Sequence, residues 1–223
     1  MIETIVLLTS EPREPILADV LRSFNPNLTI LFATNLTELE ALAAEARPRA
    51  RLVGFATSVI VPVGVLDRFG CGAYNFHPGP PTYPGWAPAA FAIYDGAMSF
   101  GVTAHRMIKE VDAGPIVGVD CFDILPGTTL PGLEVQAFCQ LVRLYGHLAE
   151  PLAMQSEPLP ELPVNWSGKK SSRRRCAAAC DIPIDISPDE LRRRVEAFSH
   201  PMLEMCPTIT LHGFQFRIAR QQA

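Results

Sequence analysis

The pattern of apolar and polar positions in the first half of the chain alternates between two kinds of segment. Short, mostly apolar runs are typical of strands buried on both faces, and they cover residues 4–8, 28–32, 52–56 and 72–75. Between them lie segments with apolar residues at helical spacing, which begin at Pro12 and cover 36–46, with Thr37 as a candidate cap, and 63–69. Strands separated by helices favour parallel pairing with right-handed crossovers. This half is therefore predicted to form a doubly wound, mostly parallel α/β sheet.

The pattern changes after the fourth predicted strand. Residues 76–88 are rich in proline and glycine and are predicted to form a loop. Residues 101–107 and 116–122 then indicate two strands joined by a turn at 112–115. Residues 130–152 have the spacing of a long amphipathic helix, which we expect to cover the sheet.

Composition divides the chain into three parts. Residues 1–154 would form the main domain, 155–168 a proline-rich linker and 169–223 a small C-terminal α+β appendage. Within the appendage, a helix is predicted over 189–198 and a strand or hairpin over 208–218. The apolar residues of that hairpin could form an edge that pairs with another chain, which leaves a homodimer open.

Bulk composition excludes several classes of function. The chain has 223 residues, of which 48% are hydrophobic and 19% charged, the balance of a globular protein with a real core. Its formal net charge of −4 gives no sign of nucleic-acid binding. No apolar run reaches the ~20 residues that a membrane helix needs. Because no basic segment precedes the apolar stretch at the N-terminus, no signal peptide is predicted, and we expect a cytoplasmic protein.

The cysteines are interpreted as scattered buried thiols of a reducing compartment. Cys176 and Cys180 form a C-x3-C pair, but no second ligand pair stands at zinc-finger spacing. A zinc site is therefore not predicted.

Two side chains suited to carbonyl chemistry leave the fourth predicted strand together. Asn75 and His77 are two apart in an extended segment, so both point to the same side, and Pro78 keeps His77 extended. The carboxyl ends of parallel strands are where open α/β sheets bind ligands. An amide could hold a developing oxyanion, and an imidazole could take or donate a proton. For this pair alone, a turn-forming asparagine and an ordinary loop histidine stay open as the alternative.

A carboxylate and a second histidine follow at the next predicted turn. Asp112 beside the Asn/His pair could raise the basicity of the imidazole and fix its orientation. His105 could in turn fix Asp112. Taken alone, Asp112 is explained by an Asx turn and His105 by packing within a strand. The combination with Asn75 and His77 favours a site.

Four short motifs occur in a fixed order in this region. Residues 75–78 read N-F-H-P, 85–88 read G-W-A-P, 101–105 read G-V-T-A-H and 112–116 read D-A-G-P-I. Their order and spacing resemble the pattern of the formyltetrahydrofolate-dependent formyltransferases, namely N-x-H-P, G-x-x-P, G-V-T-x-H and D-x-G-x-I. The motifs together are far more specific than any one of them.

The resemblance implies a fold, a reaction and a site. The family has a Rossmann-like catalytic domain that binds 10-formyltetrahydrofolate, the formyl donor, in a cleft beside the catalytic loop. By resemblance, Asn75, His77 and Asp112 match the catalytic triad, with His105 in support. The donor site would include Ile60, Val61, Pro62, Pro78 and Gly79. A metal site is not favoured, because the histidines and Asp112 lack a ligand pair at short spacing.

The identity of the acceptor amine rests on weaker signals. Residues 79–85 depart from the Ser-Leu-Leu-Pro segment of many family members and resemble amino-sugar formyltransferase-like relatives. Only residues 169–223 follow the linker, which argues against a tRNA acceptor. The basic run at 169–175 could contact phosphates, although a solvated or flexible segment explains it as well. We therefore expect a small-molecule amine, such as a nucleotide-linked amino sugar.

Two other functions fit the same motifs. If water replaces the amine, the site would hydrolyse 10-formyltetrahydrofolate as a deformylase. A non-catalytic module that binds folate or a nucleotide is the second alternative. The aromatic residues Tyr83 and Trp86 do not discriminate, since they could stack on a ligand or anchor the loop.

Overall fold

The computed structural model describes residues 2–10, 13–46, 48–199 and 206–218. The strands are β1 (Thr4–Leu8), β2 (Thr29–Ala33), β3 (Ala50–Phe55), β4 (Ala73–His77), β5 (Ser99–Arg106), β6 (Ile116–Asp123), β7 (Asp181–Ile182), β8 (Thr208–Leu211) and β9 (Phe214–Arg217). The helices are α1 (Glu14–Phe24), α2 (Leu36–Ala44), α3 (Val63–Leu66), α4 (Pro88–Asp95), α5 (Leu130–Met154), α6 (Arg173–Cys180) and α7 (Pro188–Phe198). Within these described residues, no helix combines the length and the apolarity needed to cross a membrane.

The main sheet has six strands in the order β2-β1-β3-β4-β5-β6. Strands β1 to β4 pair in parallel, whereas β5 and β6 are added antiparallel at the β4 edge. Because the chain moves outward from β1 in both directions, its helices fall on opposite faces. Buried residues of α1, α4 and α5 share one hydrophobic core, and those of α2 and α3 share the other. The predicted doubly wound, mostly parallel α/β fold is confirmed.

Strand β3 shows why the sequence forms this sheet. All six of its residues are buried, as expected for a central strand covered by helices on both faces. Two of the local predictions near the sheet are wrong. Asn35, and not Thr37, caps α2, because its side-chain oxygen accepts from the Glu38 N–H at 3.0 Å. The loop predicted from residue 76 begins only after His77, because β4 continues to pair with β5 up to that residue. The predicted helix start at Pro12 lies outside the described residues.

The C-terminal part differs from its prediction in detail. The basic run at 169–175 is exposed to solvent except at Ser171, as a solvated segment would be. Its arginines form the first turn of α6, which the Ser172 side chain caps. Cys176 and Cys180 are buried on this helix, but Cys121 and Cys139 are exposed, contrary to the expectation of buried thiols.

A second, three-stranded sheet in the order β7-β8-β9 lies in this C-terminal part. The last turn of α7 packs onto the main core, where the Phe198 ring lies 5.3 Å from that of Phe91 and 5.7 Å from that of Tyr94, measured between centroids. The division at 154 and 168 stays a prediction.

Arg51 ties the end of the long helix to the centre of the sheet. Its guanidinium is fully buried in β3. It donates to the carbonyl oxygens of Cys71 at 2.9 Å, Pro151 at 3.1 Å, Leu152 at 2.7 Å and Glu157 at 3.2 Å. The last carbonyl groups of a helix have no partner within the helix. Arg51 supplies partners at the end of α5 and fixes the point from which the chain leaves toward residue 160.

Replacing Arg51 with methionine is expected to lower the free energy of unfolding by about 3 kcal/mol or more, because buried carbonyl groups lose charged donors. Urea denaturation followed by circular dichroism measures the change. Arg49→Met is the matched control. Arg49 pairs with Glu3 at 2.9 Å, but both side chains are about half exposed, so its loss should cost about 1 kcal/mol or less. Equal unfolding midpoints for the two variants would contradict this account of Arg51.

Candidate active site

Two neighbouring antiparallel strands place three of the predicted site residues. Asn75 and His77 lie on β4, and His105 lies on β5 directly opposite Asn75 in the strand register. Their side chains line one cavity, as two residues of the same strand separated by one position can do. Asp112 lies in the connection between β5 and β6 and lines the same cavity. All four predicted residues therefore come together at the end of β4.

The Asp112 carboxylate contacts both histidines directly. Its Oδ1 is 3.2 Å from His105 Nε2, and its Oδ2 is 3.5 Å from His77 Nδ1. The backbone N–H of Gly85 donates to Oδ2 at 2.9 Å. Asp112 has a φ of 45°, a left-handed conformation that aspartate tolerates better than most residues. The two histidines and Asp112 are each at most 5% exposed, so this network is nearly dry.

Burial and charge act in opposite directions on this network. Burial raises the pKa of Asp112, but the hydrogen bond from His105, the charges of the two histidines and the Gly85 N–H outweigh it and lower the pKa to about 2. Burial lowers the pKa of His77 more than the Asp112 carboxylate raises it. At neutral pH, Asp112 is therefore ionised and His77 neutral. The stability that ionised Asp112 contributes is present above the ordinary aspartate pKa and is lost as the pH falls toward 2.

The contacts of the His77 ring indicate where its proton lies. Nε2 is 3.1 Å from the carbonyl oxygen of Tyr83. A carbonyl oxygen only accepts, so this hydrogen bond requires the proton on Nε2 and leaves a lone pair on Nδ1, toward Asp112. If Nδ1 takes up a proton, the carboxylate already stands beside it to stabilise the new positive charge. The pair can therefore accept a proton.

The Asn75 amide is only partly satisfied. Its Nδ2 lies 3.3 Å from His105 Nε2, but the proton of that histidine nitrogen is directed at Asp112, and the Asn75 Oδ1 is buried and has no hydrogen-bond partner among the described residues. A buried polar atom without a partner costs roughly 1–3 kcal/mol. Gly54 lies opposite Asn75 on β3, where a Cβ would come within 3.0 Å of Oδ1. The glycine leaves this amide the room that it needs.

The four side chains border a cavity of about 480 Å³. Of the residues predicted to bind the donor, Ile60, Val61 and Pro78 line this cavity, but Pro62 and Gly79 do not. Pro62 is instead the N-cap residue of α3. The Gly79 carbonyl accepts from the Thr103 hydroxyl at 2.8 Å, so the carbonyl group of Gly79 points into the protein. A second cavity of about 420 Å³ adjoins the first through the shared residues 56–59.

The two aromatic residues of the loop after β4 have different positions. Tyr83 packs against Phe100 in the core, with ring centroids 6.3 Å apart, and burial raises its pKa to about 12. Trp86 lines the cavity and packs against the core at the same time. Tyr83 thus anchors the loop, while Trp86 presents a surface to a ligand.

Residues outside the four motifs also reach the site. They are Trp166, which the sequence does not predict there, and two members of the basic run, which is a candidate for phosphate contacts. The Trp166 ring lies 5.1 Å from that of His105 and 6.0 Å from that of His77, measured between centroids. Lys170 and Ser171 line the cavity. No motif or periodicity marks these positions. The one signal is a large aromatic residue in a proline-rich stretch, since such a side chain usually packs against other groups.

Comparison with known proteins finds related sequences and related folds. The sequence model of the formyl transferase family matches residues 34–138. The methionyl-tRNA formyltransferase of Thermotoga neapolitana is 44% identical over 70 residues, which span 31% of this chain and 22% of that enzyme.

Solved structures share the fold over nearly the whole chain at low sequence identity. A sugar N-formyltransferase from a Shewanella species superimposes with a TM-score of 0.79 and 16% identity, covering 100% of this chain and 98% of the other. An N-formyltransferase from Helicobacter canadensis, in complex with folinic acid and dTDP-3-aminofucose, superimposes with a TM-score of 0.68 and 15% identity, covering 96% and 85%. The resemblance indicated by the four motifs is confirmed, because the formyl transferase model matches the segment of residues 34–138, which carries all of them.

Proposed function

We propose that this protein is a formyltetrahydrofolate-dependent N-formyltransferase. It moves the formyl group of 10-formyltetrahydrofolate to the amine of a small molecule, a nucleotide-linked amino sugar. The observation that carries the proposal is the buried Asp112 carboxylate, in contact with His77 and His105 beside the Asn75 amide. The Helicobacter enzyme, crystallised with a formylated folate and an amino sugar nucleotide, supports the choice of substrates. Free thiols at all the cysteines fit the cytoplasmic location that is part of the proposal.

The cavity suits a flat, partly apolar donor. Its volume of about 480 Å³ lies within the range of small-molecule sites. Ile60, Val61 and Trp86 contribute apolar surface to its lining, and the polar groups lie together at the end of β4. A pterin between the apolar residues would bring its formyl group toward Asn75 and His77. The unpaired Asn75 Oδ1 could accept a hydrogen bond from a donor group of the ligand.

In the proposed reaction, the His77–Asp112 pair moves the proton. The neutral acceptor amine attacks the formyl carbon, so its nitrogen must lose a proton as the new C–N bond forms. Neutral His77 takes this proton on Nδ1, where the Asp112 carboxylate stabilises the imidazolium. The proton then passes to the folate nitrogen as its bond to the formyl carbon breaks. This order of proton transfers requires His77 to be neutral, and not protonated, before the reaction, in line with its lowered pKa.

Asn75 would stabilise the negative charge that develops on the formyl oxygen. An amide N–H aimed at such an oxygen in a dry site acts as an oxyanion-hole donor. His105 would contribute indirectly, because its Nε2 contacts both the Asn75 amide and the Asp112 carboxylate. We therefore assign His105 a positioning role.

The proposed function is tested by incubating the protein with 10-formyltetrahydrofolate, with and without a dTDP-linked 3-amino sugar. Transfer predicts a product heavier by one formyl group, formed only when the amino sugar is present. Release of formate at the same rate without any amine would show a hydrolase instead. Binding of the folate without turnover under either condition would show a non-catalytic module.

His77→Asn is expected to lower kcat by at least about 100-fold, because the group that accepts the proton is lost. Steady-state kinetics with the same two substrates measures the change. His147→Asn is the matched control, since His147 is exposed on α5. If His77→Asn kept the wild-type rate, or if the control lost as much, the assignment of His77 would be wrong.

Asp112→Asn should change the pH dependence as well as the rate. Asparagine tolerates the positive φ at this position, so the turn should persist. The carboxylate raises the pKa of His77. Its loss should lower that pKa further and move the acidic limb of the residual activity to lower pH. The profile of kcat/KM for the folate, from pH 5 to 9, tests the sign. An acidic limb displaced to higher pH would contradict the proposed pair.

We also propose a homodimer formed through the hairpin of β8 and β9. In the strand register, Ile209 faces Phe216 and Leu211 faces Phe214, which places all four side chains on one face. Phe214 is 70% exposed and Phe216 55% exposed. An exposed apolar face at a sheet edge favours pairing with a second copy.

The double variant Phe214→Glu/Phe216→Glu is therefore expected to be a monomer, while the wild-type chain is a dimer. Sedimentation equilibrium measures both masses. Thr210→Glu, on the opposite face of β8, is the control that should stay dimeric. A monomeric wild-type chain would refute the proposed homodimer.

A further inference from the structure

A segment outside the four motifs connects the loops that carry the catalytic groups. Residues 162–172, here named the strap, lie across the connection between β5 and β6 and across the loop after β4. At its start, the Leu162 N–H donates to the Ile116 carbonyl at 2.7 Å. Further along, the Ser167 N–H donates to the Pro81 carbonyl at 2.9 Å. The strap is thereby fixed to the start of β6 and to the loop after β4.

Ser171 holds the part of the loop that donates to Asp112. Its N–H donates to the Pro84 carbonyl at 2.9 Å, and its hydroxyl to the Trp86 carbonyl at 2.6 Å. Between these two lies Gly85, which has a φ of 97° and donates to Asp112. A Cβ on Gly85 would come within 2.2 Å of the Ser171 carbonyl oxygen. This close approach explains why glycine occupies the position.

Trp166 makes the corresponding contacts on the Asp112 side. Its Nε1–H donates to the Gly114 carbonyl at 2.8 Å, two residues beyond the catalytic carboxylate. Its ring meets those of His105 and His77 edge to face. Lys170 adds a hydrogen bond from its ammonium group to the Val111 carbonyl. The turn of Asp112 is therefore held on both sides by the strap.

We propose that Trp166 is a positioning residue, which holds the turn of Asp112 through its N–H and keeps water from the His77–Asp112 pair with its ring. The catalytic meaning of this role rests on the proposed function. The hydrogen bond and the ring contacts do not depend on it. No motif includes Trp166, and the contacts of the strap alone assign it this role.

The charges near His77 allow the sign of the effect to be worked out. Asp112 faces the ring from the connection between β5 and β6, and His105 contributes from β5. Lys109, Glu110, Lys170 and Arg173 line the same cavity. Burial is the largest influence on the pKa of His77 and lowers it. Removing the ring that covers His77 should admit water and raise the pKa toward its ordinary value.

The test is an NMR titration of the histidine Cε1–H signals in the full chain without substrates, with the His77 signal identified by its loss in His77→Asn. Trp166→Leu should raise the midpoint of His77 by about one pH unit. Trp166→Phe keeps an aromatic ring and should restore most of the native midpoint. Tyr145→Phe is the control, because it removes a buried hydrogen bond to the Leu17 carbonyl from a ring that packs on Phe76, on the face of β4 opposite Asn75 and His77, and should leave the midpoint unchanged.

The results distinguish a positioning role of Trp166 from a contribution to the stability of the fold alone. A loss of thermal stability in Trp166→Leu with an unchanged His77 midpoint would overturn the proposal. A midpoint lowered in both Trp166→Leu and Trp166→Phe would show that loss of the N–H had released the Asp112 carboxylate, and it would overturn the shielding role of the ring. Equal shifts in Trp166→Leu and Trp166→Phe would overturn the shielding role of the ring. Because the titration uses no substrate, a wild-type chain that transfers no formyl group would refute the proposed function and leave this result on Trp166 standing.

Discussion

The whole site depends on keeping one carboxylate ionised where water hardly reaches. An ionised aspartate is expensive to bury unless it is paired and hydrogen-bonded. Asp112 meets this condition with two histidines and one backbone N–H, each from a different place in the chain. The same arrangement leaves His77 neutral but beside a negative charge. This is the state that a group needs if it is to accept a proton at neutral pH.

The fold supplies the two histidines through regular structure and the remaining contacts through loops. Strand pairing of β4 with β5 fixes Asn75 opposite His105. The Gly85 N–H and the Asp112 turn belong to irregular segments, which have little hydrogen bonding of their own to hold them. The strap, residues 162–172, supplies the missing hydrogen bonds to both segments. Arg51 fixes the end of α5, from which the chain continues to the strap. The positions of the side chains in the site therefore depend on the contacts of Arg51 at the end of α5.

Much of the fold and the site could be predicted because the relevant signals are local. Buried strands such as Thr4–Leu8 have a continuous apolar character, and the N-x-H-P motif fixes the spacing of its two functional side chains. The position of Asp112 beside them also follows from its motif. The contacts of Trp166 and Ser171 could not be predicted, since they join residues about 50 to 90 positions apart in an irregular segment. The cap at Asn35 is not predicted, because the two polar residues near the start of α2, Asn35 and Thr37, can each cap a helix.

The most direct test of the account is a crystal structure of the chain with 5-formyltetrahydrofolate. The account predicts that the pterin lies against Ile60 and Val61, and that the formyl group comes within about 3.5 Å of Asn75 or His77, the reach of a reacting contact. It also predicts that Asp112 keeps its contacts with both histidines. A formyl group outside hydrogen-bond reach of Asn75 and His77, or a carboxylate that has left His77, would contradict the central claim.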